Sequence, residues 1–73
     1  MGGAVALITK NAECSQVDIS AGSLYVRLRG PFPRAVVEAA DSSKQFSGRS
    51  DVIRWLDAAW PEWRLNVVEG VFL

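Results

Sequence analysis

Leu24-Tyr25-Val26-Arg27-Leu28-Arg29 is the stretch on which the fold turns. Apolar and polar side chains alternate through all six positions. Leu24, Val26 and Leu28 fall on one face, Tyr25, Arg27 and Arg29 on the other, as in a strand with one side in a core and one in water. Ala21-Gly22-Ser23 ahead of it supplies a tight turn. Before that turn, Gln16-Val17-Asp18-Ile19-Ser20 alternates again, so Val17 and Ile19 point inward. Asn11-Ala12-Glu13 breaks the chain further upstream. The first apolar run, Ala4 to Ile8, is too short for a helix and follows Gly2-Gly3, so it reads as a buried strand.

Downstream, Gly30-Pro31-Phe32-Pro33 ends the central strand, because two prolines remove two ladder donors and stiffen the backbone. Arg34 to Asp41 has two readings. As a helix it starts with Pro33 at the first turn, is rich in Ala, and carries Val36, Val37 and Ala40 on one face. As a strand it puts Ala35, Val37 and Ala39 on one face. A turn at Ser42-Ser43 then sets Asp41 against Lys44 and Ala39 against Phe46. The hairpin is preferred here, since it accounts for Phe46 and for the opposed charges.

A helix starts at Ser50, whose hydroxyl can cap, with Asp51 against the positive dipole end. Val52, Ile53, Leu56, Ala59 and Trp60 share a stripe, and Pro61 stops the helix near Trp60. Arg64 to Glu69 is expected to be a last strand with Leu65 and Val67 inward. Gly70 then releases an apolar tail, Val71-Phe72-Leu73, to pair into the sheet or meet a partner. The sum is a single α+β domain over residues 1–73. An antiparallel meander of three to five strands plus a C-terminal strand packs against one amphipathic helix.

Val, Leu, Ile and Phe fill 21 of 73 positions, enough to fold but with little margin. A chain this small hides only about 60% of the surface that its unfolded form exposes. Lone Cys14 makes no internal disulfide and, without histidine, no zinc site, so association with a partner or a second copy is the remaining support. Eight basic residues balance eight acidic ones, which argues against duplex DNA as the main partner. The longest uncharged stretch, Met1 to Thr9, is half a membrane span and has no basic residue ahead of it. Neither a membrane segment nor a signal peptide is expected, and a reduced, cytoplasmic setting fits best.

With no histidine there is no imidazole base, no Ser-His or Cys-His pair and no imidazole metal ligand. Cys14 stands beside Glu13, whose carboxylate disfavours a thiolate. Lys10 and Lys44 lie in no apolar stretch that would desolvate an amine beside a serine. Asp57 and Glu62 read as solvated charges, and Ser47-Gly48-Arg49-Ser50 as a cap rather than an anion site, because Asp51 already occupies the favourable position. The expectation is a non-enzyme with neither cofactor nor metal.

Two features remain for function. Tyr25, Arg27 and Arg29 make a locally basic, aromatic strand face, with Arg34 the only other charge between Asp18 and Glu38. Trp55, Trp60 and Trp63 crowd into nine residues. Trp60 lies on the apolar stripe, while Trp55, about 100° round the helix from Leu56, and Trp63, in a connection, read as rim residues. Tyr, Trp and Arg dominate interface hot spots. The expectation is therefore protein–protein contact through Tyr25, Arg27, Arg29, Trp55 and Trp63 by a small inhibitor, adaptor or regulatory subunit. A phage or mobile-element accessory factor fits that description, and so does a homodimer. The alternative is binding of single-stranded nucleic acid or another polyanion by the Tyr/Arg face.

Overall fold

The computed structural model describes residues 7–11, 13 and 15–72. Strands β2 (Gln16–Ala21) and β3 (Leu24–Arg29) form where the alternation requires them, and β1 (Leu7–Lys10) shares Leu7 and Ile8 with the expected first strand and runs two residues further. Residues 4–6 of the expected first strand lie outside the described residues. Helix α1 spans Arg34–Asp41 and helix α2 spans Arg49–Ala59. A 3-10 turn, Trp63–Asn66, leads into β4, Val67–Phe72. The sheet is antiparallel in the order β1-β2-β3-β4, and both helices fall in the connection from β3 to β4. The fold is α+β with a C-terminal strand, as the pattern implies.

Cross-strand register fixes the two faces. The row Ile8–Ile19–Val26 and the pair Val17–Leu28 point inward, joined by Ala21 and Leu24. Val36 and Ala39 from α1, Val52 and Leu56 from α2, and Phe46, Trp60 and Trp63 complete one core. Each fully buried aliphatic side chain contributes about 1.5–3 kcal/mol. No polar or charged side chain among the described residues is buried. The β2–β3 turn is Gly22-Ser23, and Gly22 sits at φ +61° in the glycine-first arrangement of a type II′ hairpin. Any other residue would be strained there.

Three expectations need correction. Arg34–Asp41 is a helix, not a hairpin arm, so two helices cover the sheet instead of one. The reason is visible in burial: Val36 and Ala39, three apart, face the core, whereas Ala35 is exposed. Arg34 also pairs with Glu38 one turn on. The chain does turn at Ser42-Ser43, but as the helix C-terminus. The Ser42 and Lys44 amides donate to the Glu38 and Ala39 carbonyls, and Ser43 takes φ +52°. Asp41 pairs with Lys10 of β1, not Lys44, and Lys44 lies 5.4 Å from the Phe46 ring centre.

The second correction concerns the start of α2. Gly48 precedes it, and Ser50 lies inside the first turn and does not cap it. The Ser47 hydroxyl donates to the Asp51 carboxylate instead.

The third lies at the other end of α2. Residues 63–66 are not strand, and Leu65 is 85% exposed rather than inward. Trp63 takes the core position and turns the chain tightly behind it. The Leu65 amide donates to the Glu62 carbonyl, and Asn66 Nδ2 donates to the Arg29 carbonyl at 2.9 Å. Of the two outcomes expected for the tail after Gly70, pairing into the sheet is the one found: Gly70 lies opposite Val26 and β4 continues through Phe72, while Leu73 lies outside the described residues. Among the described residues no helix is long and apolar enough to cross a membrane.

Candidate functional site

The helices pack on one face of the sheet, and among the described residues nothing covers the other. Register assembles its side chains into rows. Thr9, Asp18, Arg27 and Glu69 form one, Ser20, Tyr25 and Val71 a second, and Gln16 and Arg29 a third. In the first row Arg27 is clamped. Its Nε donates to Asp18 Oδ1 at 2.9 Å, its Nη2 to Oδ2 at 3.4 Å, and its Nη1 to Glu69 Oε1 at 3.4 Å. The hydrogen bond and charge of Asp18 hold the guanidinium above its already high ordinary pKa. Two carboxylates therefore offset the cation at the centre of the face, which leaves little net charge for a phosphate.

The second row is more apolar. Tyr25 is half-buried, and its cross-strand neighbour Val71 is 46% exposed. Arg29 ends the third row, exposed and without a side-chain partner among the described residues. With Glu13, Ser15, Gln16, Gly30 and Pro31 it lines an open cleft of about 570 Å³. Tyr25, Arg27 and Arg29 thus share the face that their alternation predicts, and of the two arginines only Arg29 has no ion pair among the described residues.

The tryptophans lie elsewhere. Trp55 is half-buried on α2 in the helical layer, its ring 4.9 Å from Phe46. Trp60 is core, edge-on to Phe32 at 5.6 Å. Trp63, expected at the rim, is 1% exposed. Its Nε1 donates to Asp57 Oδ1 at 2.8 Å, and Arg64 bonds the same oxygen at 2.9 Å while covering the indole at 4.4 Å. The Trp63 hydrogen bond, seconded by Arg64, holds the Asp57 carboxyl below the usual aspartate range. Asp57 is therefore an anchor for the 3-10 turn rather than an idle surface charge.

At the start of α2 the Ser47 hydroxyl likewise holds Asp51 low, with Arg54 adding to it, so the negative charge is already in place there. Lys10 is engaged with Asp41. Cys14 lies outside the described residues. The large exposed hydrophobics among the described residues are Leu65, expected inward, Val71, expected to pair into the sheet or meet a partner, and Val68, to which the sequence assigns no role. Their signal is a valine-rich last strand with a single charge. No protein-family model matches the chain, no curated protein matches its sequence, and no solved structure matches its fold.

Proposed function

We propose that the chain is a non-catalytic protein-binding module, working in the cytoplasm as a small inhibitor, adaptor or regulatory subunit. Its contact surface in this reading is the bare sheet face centred on Tyr25. The observation that carries it is the Tyr25–Val71 pair, half-exposed on a face that no described element covers, with Arg29 at the far end of β3 on the same face and without a side-chain partner among the described residues. An amphipathic aromatic, an aliphatic neighbour and a free guanidinium are the groups that anchor protein interfaces. The lack of histidine supports a contact role over catalysis. A phage or mobile-element accessory factor, blocking a larger machine, is the biological setting that this reading favours.

Trp63 drops out of the contact set because it is inside, and Trp55 is secondary because Phe46 covers part of it. The test is capture from lysate on immobilised protein, with the eluate identified by mass spectrometry. Wild type is expected to hold one protein stoichiometrically, and Tyr25→Ala/Arg29→Ala to lose it with an unchanged circular dichroism spectrum. Retention by the double variant refutes the surface. An eluate of nucleic acid alone, with affinity falling on a log–log salt plot with a slope of about −0.7 per arginine engaged, moves the assignment to the polyanion reading.

A further inference from the structure

We propose that β4 is a self-pairing edge: two copies of the chain join antiparallel along β4, with the two Val71 residues facing each other on the two-fold axis. The result is one eight-stranded sheet. This goes beyond the reading above, which concerns the face of the sheet and a foreign partner.

The sheet order leaves β1 and β4 as its edges, and they are treated differently. Edge strands are normally blunted by lysine, proline, bulges or a covering element. The β1 edge ends in Lys10, which is tied to Asp41 of α1, and α1 packs along that strand. β4 reads Val-Val-Glu-Gly-Val-Phe, with neither lysine nor proline, and residues 68–71 are all exposed. Its one irregularity is a bulge: Leu28 faces Val67 and Arg27 faces Glu69, so Val68 is the extra residue, 43% exposed. The regular, unblunted part of the edge is therefore the stretch from Glu69 to Phe72.

A second copy suits this edge because charge and polarity agree in one register. A two-fold axis normal to the sheet keeps faces matched, so outer-face residues must meet outer-face residues. In β4 these are Glu69 and Val71, the cross-strand neighbours of Arg27 and Tyr25. Glu69 opposite Glu69 sets like charges together, which destabilises a pair. Glu69 opposite Val71 places a carboxylate against an aliphatic chain and leaves the two carboxylates about 7 Å apart along the strand. Val71 opposite Val71 joins apolar to apolar. The two Glu69 side chains are then about 14 Å apart, beyond a Debye length of about 8 Å at physiological salt, and each keeps its own Arg27.

In that register the outer face carries an unbroken stripe Tyr25–Val71–Val71–Tyr25 across the axis. In this register Gly70 to Phe72 of the two copies overlap among the described residues, an interface smaller than those of stable complexes, so association is expected only at high protein concentration.

The experiment is sedimentation of the full chain across a dilution series, paired with site-specific cross-linking. Wild type should approach twice its 8.0 kDa mass at high concentration. Val71→Lys should stay at the monomer mass with unchanged circular dichroism. Cys14→Ser/Val71→Cys should form a disulfide dimer on air oxidation, because facing Cα atoms about 4.5–5.5 Å apart lie within disulfide reach. Cys14→Ser/Thr9→Cys, with its thiol on the β1 edge, should not. The proposal is overturned by a wild-type monomer at millimolar concentration, by a dimer that Val71→Lys leaves intact, or by cross-linking at position 9 and not at 71. The cysteine pair decides the matter even if the lysine variant unfolds. A monomeric result leaves the Tyr25/Arg29 capture experiment standing, so the two readings fail separately.

Discussion

Asp57 holds one oxygen between two donors, the indole N–H of buried Trp63 and the guanidinium of Arg64. The aspartate is the hinge of this contact because its ionised form makes both bonds charge-assisted, and so stronger than those a neutral carboxyl or amide oxygen accepts. A carboxyl whose pKa is lower in the folded than in the unfolded chain adds stability above its unfolded value. That stability is lost as pH falls through the folded one. Asp57→Asn should therefore be less stable than wild type at neutral pH in urea titrations, and the gap should close progressively below about pH 4. A gap of constant size down to pH 2 would show that the carboxylate is not the accepting form. Arg27 teaches the complementary lesson. Its place on the outer face is readable from the alternation of six residues. Its nearer partner Asp18 lies directly opposite across the Gly22-Ser23 turn and follows from that register, whereas Glu69 is 42 positions away and no local pattern reveals it.

Elements differ in how much of themselves their own residues disclose. β2, β3 and the body of α2 are readable because one period dominates each: two for the strands, 3.6 for the helix. α1 is ambiguous because Ala35, Val36, Val37, Ala39 and Ala40 satisfy both periods within eight residues. Its burial settles the matter and yields a test. Ala35 is exposed and Val36 buried, so Ala35→Lys should change stability by less than about 0.5 kcal/mol, and Val36→Ala should cost about 1–3 kcal/mol. A hairpin would reverse that order in the same denaturation experiment.

The 3-10 turn is unreadable for another reason. Leu65 and Val67 alternate as a strand would, but the core has room for Trp63 and not for Leu65, and room is decided by α2 and β3 together. By the same logic the bare face was foreseeable from Tyr25, Arg27 and Arg29, while the exposed edge at Val68 and Val71 depends on where β4 comes to lie.

The molecule as a whole has one core and little in reserve. At roughly 0.05–0.15 kcal/mol per residue, a chain of this length is stable by about 4–11 kcal/mol. Leu56 is wholly buried between the sheet and the aromatic cluster, and Leu56→Ala should cost about 2–5 kcal/mol. That is enough to populate the unfolded state visibly at 37 °C, which thermal melts would record as a drop of ten degrees or more. Val71→Ala, at a half-exposed edge position, should shift the melt little at low concentration.

Strand order also sets an order of assembly. β1, β2 and β3 are neighbours in sequence as well as in space, whereas β4 reaches β3 only after both helices have been laid down. Local pairings form first, because closing a long loop costs more entropy than closing a short one. On the ribosome residues 67–72 emerge after both helices, so wherever β1, β2 and β3 pair before then the outermost strand is β3. There Arg27 is already held by Asp18, and the charge of Arg29 on this temporary margin disfavours pairing between nascent chains until the last strand arrives.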